Sequence, residues 1–450
     1  MSKNFRRTLS AAAALSLAFT MTACGADSSE KSSGTDSTSA AADNDNKLVV
    51  WTLAEDLVQF GEKYEADTGK DIEVVVIAPA DYPTKLTAAL GSGSDDPDVI
   101  VGEPQMLPDF FDAGFFEDLS QAPYYAANHK DKIVDYIYEA GCDENGAIRA
   151  LSYQITPGSI IYRRDIAEKI WGNDDPEFIS EKFASYEAIE TAAKDVQDAG
   201  YRIFGDTGAL RWFANASAPW VQDGKLVLSD SRMEYFDAAV NLYQKEQVAF
   251  APEWSAAWYA SMSGELPVNA GWSDLADISS DTPTTEILAY AMPSWGAVII
   301  RDNAGDNNGK FGVASGPCSF FGGGTFLGIS SSSDCKEEAW DFVQYCTVNE
   351  ETAKWWIDKS NGDVVSLKSV LEENKDYENA AFGNQKTYQF FLEEANNIDY
   401  SKITRYDTQI DNAFGAAISS VQEGAKTKEE ALQDFYDEVS AQFPEIELPQ

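Results

Sequence analysis

Histidine is almost missing from this sequence: His129 is the one example in 450 residues. That leaves little material for histidine-ligated metals or for histidine-based acid–base catalysis. Cations are scarce too, with 33 Lys and Arg against 75 Asp and Glu, a net charge of −42. A field of that sign repels phosphate backbones, which argues against nucleic acid as a partner. It also disfavours anionic lipid surfaces and highly anionic ligands. No G-x-S-x-G elbow, H-E-x-x-H pair or phosphate-binding glycine loop occurs. Beyond the N-terminus no apolar run is long enough to span a bilayer. What the chain does have is a 44% hydrophobic content that includes 11 Trp. That is enough for a sizeable core, in several domains or one bilobal unit, and rules against global disorder.

Residues 1–23 read as an export signal. Lys3, Arg6 and Arg7 make a positive start, and Leu9 through Thr20 a short apolar stretch rich in Ala and Ser. Met21-Thr22-Ala23-Cys24-Gly25 resembles a bacterial lipobox, in which Cys24 is lipidated and becomes the mature N-terminus. Residues 25–46 hold no large apolar side chain and read as a flexible tether, so that 24–46 as a whole is a lipidated Cys plus spacer. Export permits disulfides among Cys142, Cys318, Cys335 and Cys346. Cys335 and Cys346 share one expected helix, where eleven residues span roughly 16 Å, too far for a bond. Pairing with Cys142 or Cys318, or buried free thiols, stays open.

From Lys47 the pattern alternates. Lys47–Trp51 reads as a strand, Leu57, Phe60 and Tyr64 as a helix face closed by Gly69, and Ile72–Ile77 as an almost wholly apolar strand. Thr84–Leu90 is helical and Asp98–Val101 is a third strand, which together predict a parallel sheet of α/β type. Ligands bind beyond the carboxyl ends of such strands, here Trp51–Asp56 and Gly102–Gln105. Strand character returns over Ile148–Ile161. Ser229 predicts an N-cap, with Met233, Phe236, Val240 and Tyr243 on one helix face. Residues 302–309 form a turn-rich loop that misses the calcium-loop pattern at Ala304. Asp334 with Glu337, and Thr427 with Glu430, have the spacing of capping boxes. Ile410, Phe414, Ile418 and Val421 share one face of a late helix.

The order of several segments is similar to the extracellular solute-binding proteins of ABC importers, in the sugar-binding family that includes maltose-binding proteins. They are Tyr82–Val101 (YPTKLTAALGSGSDDPDVIV), Phe111–Leu119 (FDAGFFEDL), Pro157–Ile170 (PGSIIYRRDIAEKI), Tyr259–Ile278 (YASMSGELPVNAGWSDLADI) and Phe321–Tyr345 (FGGGTFLGISSSSDCKEEAWDFVQY). The resemblance covers about residues 47–440. The chain departs from the family pattern at Asn361–Val365, which lacks the usual Pro, and at Ser263–Leu266, which lacks the usual Gly-Lys. The resemblance implies a two-lobed periplasmic-binding-protein-like fold with an interlobe cleft and discontinuous lobes. Lobe 1 would be 47–153 plus 322–363 and lobe 2 would be 156–317 plus 366–450. It also implies a ligand captured by lobe closure and delivered to ABC permease subunits. The receptor itself would be a monomer at the outer face of the cell membrane, without cofactor or metal.

A glycan presents hydroxyls on its rim and C–H groups on its faces, so it needs flat aromatic surfaces and planar hydrogen-bonding groups. Trp51 and Glu55 end the first strand, and Glu103 ends the third. Tyr153 and Gln154 lie at the first expected crossing between lobes, and Asp363 at the last. Trp212, Trp254, and Trp272 with Asp274 are candidate contacts from lobe 2. Of these, Trp272 falls in the family's Trp-bearing segment and is the foremost stacking candidate. Gly323 and Gly324 would let the backbone approach a ligand. Tyr406 and Asp407 precede a helix and would reach the cleft. The aromatic count favours an oligosaccharide over a monosaccharide, and the negative charge argues for a neutral one. A secreted, lipid-anchored glycosidase with paired carboxylates is the rival reading, but the sequence names no pair. A surface adhesin is a third, and it predicts no small-molecule affinity.

Overall fold

Alternating burial marks the first strand, β1 (Leu48–Thr52), in which Leu48, Val50 and Thr52 are buried and Val49 and Trp51 are half-buried. The computed structural model describes residues 47–79, 81–267, 283–360 and 362–449. Cys24, the tether, Trp272 and Asp274 lie outside the described residues. The helix Asp56–Thr68 follows β1 and buries Leu57, Phe60, Gly61 and Tyr64 on one face. Gly61 lets that helix sit close on the sheet, since a Cβ there would stand 2.7 Å from Val74 Cγ2. The helix ends at Gly69, whose φ of 71° lets its N–H reach Glu65 O.

Seven more strands build two sheets: β2 (Ile72–Val76), β3 (Val99–Gly102), β4 (Ala150–Ser152), β5 (Gly158–Arg163), β6 (Ala289–Pro293), β7 (Phe311–Ala314) and β8 (Phe326–Ile329). The first sheet has the order β2-β1-β3-β8-β4, with β8 antiparallel to both neighbours. The second has the order β6-β5-β7, with β5 antiparallel to both. Parallel bridges Arg202–Ile287 and Phe204–Val248 extend it beyond β6. The two sheets therefore share one plan: three parallel rows, an antiparallel strand, then a parallel one. In each, the antiparallel strand directly follows a passage of the chain from the other sheet. That passage is why both sheets are mixed, where alternation of strand and helix predicts a parallel one.

The chain passes from the first sheet to the second at 153–157 and back at 315–325, and a third passage, 363–367, runs beside the first on the way to the C-terminal helices. Backbone bonds tie these passages together: Ile155 N to Val364 O (2.9 Å), Ser366 N to Tyr153 O (2.9 Å) and Gly158 N to Phe320 O (2.7 Å). Successive side chains of β5 face opposite sides. Ile161 joins the core that continues from Leu48 and Val50, and Ile160 and Tyr162 join a second core with Phe236, Phe414 and Phe435. The result is a two-lobed α/β molecule.

Several local expectations hold. Ser229 caps helix Asp230–Gln244 by accepting from Arg232 N (3.3 Å), and Thr427 and Glu430 form a full capping box. Others shift. The buried face of helix Asp230–Gln244 is Arg232, Tyr235, Phe236, Ala239 and Leu242, with Met233, Val240 and Tyr243 only half-buried. Arg232 drives that turn: its guanidinium donates to the carbonyls of Ala218, Pro219 and Val227 and lies 3.6 Å from the Trp220 ring centre. Helix Lys336–Thr347 starts after Cys335 with no side-chain cap; Ser333 Oγ accepts from Cys335 N (3.0 Å), and Asp334 accepts from the Cys335 thiol (3.4 Å) instead of capping the helix. Cys142, Cys318, Cys335 and Cys346 are all free thiols.

Candidate functional site

The carboxyl ends of β1 and β3 are locked side by side, because the buried Tyr82 hydroxyl lies between the carbonyls of Trp51 (2.9 Å) and Val101 (2.5 Å). Past these ends the chain presents acids with no side-chain partner. Glu55 is exposed at the start of its helix and makes no cap bond. Glu103 is half-buried, and burial raises its pKa. No side chain among the described residues bonds to either. Gln105, two residues on, is exposed.

Gln105 lines a cavity of about 210 Å³ whose other walls come from chain segments far away in sequence. They are Arg211, Trp212 and Asn215 on helix Arg211–Ser217, Phe320 and Phe321 beside the second passage, and Asn397, Asp399, Lys402, Asp407 and Asp411 near the C-terminus. An ion pair, Arg405 to Asp112 (2.8 Å), joins the same two regions. A larger open groove, about 900 Å³, runs between helices Tyr186–Asp198 and Asp230–Gln244. Its lining is mostly charged, with Glu187, Glu190, Lys194, Asp237 and Lys245 among it, and includes no tryptophan.

Trp212 is held from both directions. Phe320 stacks on it (5.6 Å between ring centres, 17°), and the Arg211 guanidinium lies 4.7 Å from its centre. Arg211 is itself held by Glu253 (2.9 Å). The ring therefore offers an edge more than a free face, and its buried Nε1–H has no partner. Gly322 is required beside it, because a Cβ would stand 2.4 Å from Trp212 Cζ3. The Gly322 carbonyl accepts from Trp295 Nε1 (3.0 Å), and Gly323 (φ 72°) and Gly324 (φ 111°) follow in a region closed to most side chains. Trp295 in turn supports Trp254 (5.6 Å, 30°), which is 49% exposed at a φ of 70°. Among the described tryptophans Trp254 is the one that is exposed; Trp258 beneath it is core.

Asp407 lines the cavity with its carboxyl pushed up to about 6, first by burial, although Thr404 donates to it and Arg232 attracts it. Asp411, one turn further on, is raised by burial as well. Tyr406 points elsewhere, with its ring edge-on to Phe443 (5.1 Å). Tyr153, Gln154 and Asp363, expected as ligand contacts, are 3%, 5% and 2% exposed and bond inward at the junction of the passages. Burial against other protein groups takes them out of the cleft wall in this structure. Sequence reasoning missed Asn215, Asn397, Asp399, Lys402 and Asp411. The i, i+4 spacing of Asp407 and Asp411 was a usable signal, whereas the polar turn at 397–403 has no pattern that marks it.

Two α/β lobes with a polar, aromatic-walled cavity beside the second passage define a bilobal solute receptor. The family model for bacterial extracellular solute-binding proteins matches residues 59–384. The chain belongs to that family, whose members are receptors and not enzymes. No curated protein matches the chain by sequence. Solved structures similar to it include an ABC transporter associated binding protein from B. animalis subsp. lactis Bl-04 in complex with β-1,6-galactobiose. It has 19% identity and a TM-score of 0.67, and the match covers 90% of this chain and 100% of that one. The GacH receptor of Streptomyces glaucescens GLA.O, studied unliganded and with acarbose, has 15% identity and a TM-score of 0.69, with 89% and 99% covered. Maltose-bound MalE3 of T. maritima has 17% identity and a TM-score of 0.66, with 88% and 99% covered. These likenesses establish the shared fold.

Proposed function

We propose that this receptor captures a neutral oligosaccharide between its closing lobes and delivers it to ABC permease subunits in the membrane. The observation that supports it most is the cavity shared by Gln105 and the wall of Arg211, Trp212, Asp407 and Asp411. It combines carboxamides, carboxylates and indole with no unpaired excess of cations, which suits hydroxyl groups better than phosphate or sulfate. The proposed ligand contacts among the described residues are Trp51, Glu55, Glu103, Trp212, Trp254, Gly323, Gly324 and Asp407. Trp272 and Asp274 are added from the sequence. The proposed lobes are 47–153 plus 322–363 and 156–317 plus 366–450, acting as a monomer.

Titration calorimetry and thermal shift against a panel of mono-, di- and oligosaccharides test this reading. A ligand at 100 times its Kd adds about 2.7 kcal/mol to stability. No heat and no shift with any neutral glycan overturns the reading. The neighbours bound to β-1,6-galactobiose, acarbose and maltose make these glycans the first to try.

The family is extracellular, and among the described residues no helix is long and apolar enough to cross a membrane. Attachment through a lipid on Cys24 is the proposed anchor. Mass spectrometry of the mature N-terminus, together with release of a Cys24→Ala variant into the medium, tests it. A membrane-bound Cys24→Ala protein refutes it.

A further inference from the structure

All three passages between the lobes send a side chain into one buried polar cluster. Gln154 comes from the first, Thr325 from the second and Asp363 from the third. The Gln154 amide, with its nitrogen turned toward the carboxylate, donates to Asp363 Oδ2 (2.8 Å). Its oxygen then accepts from Thr325 Oγ1 (2.8 Å) and N (3.3 Å). That orientation satisfies both ends of the amide. Asp363 also accepts from Trp356 Nε1 (2.9 Å) and Val364 N (2.8 Å), and its carbonyl accepts from the Tyr388 hydroxyl. Beside this cluster the Tyr153 hydroxyl donates to Asp56, at the start of helix Asp56–Thr68.

Asp56 is the carboxylate of this junction with an unsatisfied oxygen, although Thr156 Oγ1 and Ser366 Oγ in the same passages are also buried without a partner. Its Oδ1 is buried and has no partner. The titratable groups that face it are Tyr153 and Asp363 from the passages and Cys346 from helix Lys336–Thr347; no Lys or Arg acts on either carboxylate. Two carboxylates thus share a junction with neutral donors only, an arrangement that opposes ionising both. Burial first, and Asp363 after it, push the Asp56 carboxyl up from 3.8 to about 6, against the help of Tyr153.

We propose that Gln154 and Asp363 are positioning residues for capture: their bonds hold the three passages at one setting, and an ionised Asp56 works against that hold. The regulation rests on the capture reading, but the hold itself does not require a ligand. When Asp56 keeps its proton the junction stays closed as seen here. When Asp56 loses it, settings that hydrate the carboxylate gain population, so the hinge loosens as pH rises through about 6. A carboxyl that moves between about 6 here and 3.8 in water shifts that equilibrium by up to roughly a hundredfold at pH 7.

Hydrogen exchange on the ligand-free mature chain provides the test, read in peptides covering 153–158, 321–326 and 362–367. At pH 7, Gln154→Ala should speed exchange in all three peptides together, by about tenfold or more, although the change lies in only one. Asp56→Asn should slow all three by up to roughly a hundredfold at pH 7 and by about ten times less at pH 5, where the closed wild type already carries the proton and sheds it only on opening. Thr325→Val, which deletes one hydroxyl, should reproduce the joint acceleration and stands in if Gln154→Ala does not fold. Acceleration confined to 153–158, or an Asp56→Asn effect that is absent at pH 7 or equal at both pH values, overturns the proposal. No glycan enters these measurements, so a negative sugar panel and a negative exchange result are separate outcomes.

Discussion

Asp206 offers a sharp check on the electrostatics of this acidic chain. It sits at the entrance to the short turn Thr207–Leu210, where its carboxylate accepts from Gly208 N (2.7 Å). Burial, and then Glu253, push its pKa from 3.8 to about 6, with Gly208 N and Arg211 pulling the other way. The folded value lies above the unfolded one, so the folded chain holds this proton more tightly. Ionising Asp206 therefore costs stability. The cost is absent below about pH 4, grows as pH rises, and is complete above about 6. A rise of about two units corresponds to about 3 kcal/mol. Asp206→Asn keeps an acceptor for Gly208 N and carries no charge, so at pH 7.5 it should be the more stable protein by up to that amount. Spread over residues Asn46–Gln450 at about 2 cal/mol/K each, this is a Tm gain of about 3–4 °C. Paired melting curves at pH 7.5 and pH 4 read it out, and the gain should vanish at the lower pH. A variant that melts no higher than the wild type at pH 7.5, or whose gain survives unchanged at pH 4, refutes the reasoning.

Other outcomes follow from particular contacts. Trp254→Ala should weaken binding of any glycan that passes the panel by about 1–3 kcal/mol, the range for aromatic stacking platforms, and leave Tm nearly unchanged because the ring is half-exposed; equal affinity by calorimetry removes it from the site. Gly322→Ala places a Cβ 2.4 Å from Trp212 and 2.9 Å from Pro293 Cγ, so it should cost about 1–3 kcal/mol and change tryptophan emission; an unaltered melt would show that the neighbours give way freely. Thr427→Ala deletes the Oγ1 that accepts from Glu430 N (3.2 Å) while leaving Thr427's own N–H to Glu430 Oε2 (3.0 Å), and should lower stability by about 0.5–2 kcal/mol in urea titration.

Much of the fold was readable from local rules. Gly69 closing a helix, Ser229 and Thr427 opening others, and the period-two burial of β1 all depend on residues adjacent in the chain, so sequence alone carries them. The strand-end positions of Trp51 and Glu103 came from the same logic. Composition settled more: so few cations and a single histidine narrow the chemistry before any contact is known. What local rules could not see was where each polar side chain finds its partner. Tyr153, Gln154 and Asp363 look like cleft residues by position, yet Asp56, Thr325 and Trp356, from segments far away in the chain, draw them inward. Arg232 looks like a surface residue until three carbonyls and Trp220 surround it. Trp212 and Trp254 are equal as letters, but Phe320 and Arg211 flank the first ring while the second stays 49% exposed. Hydrogen bonding and ring stacking are satisfied by whichever group arrives at the right distance. In a chain that threads three times between two lobes, only the folded whole decides which group that is.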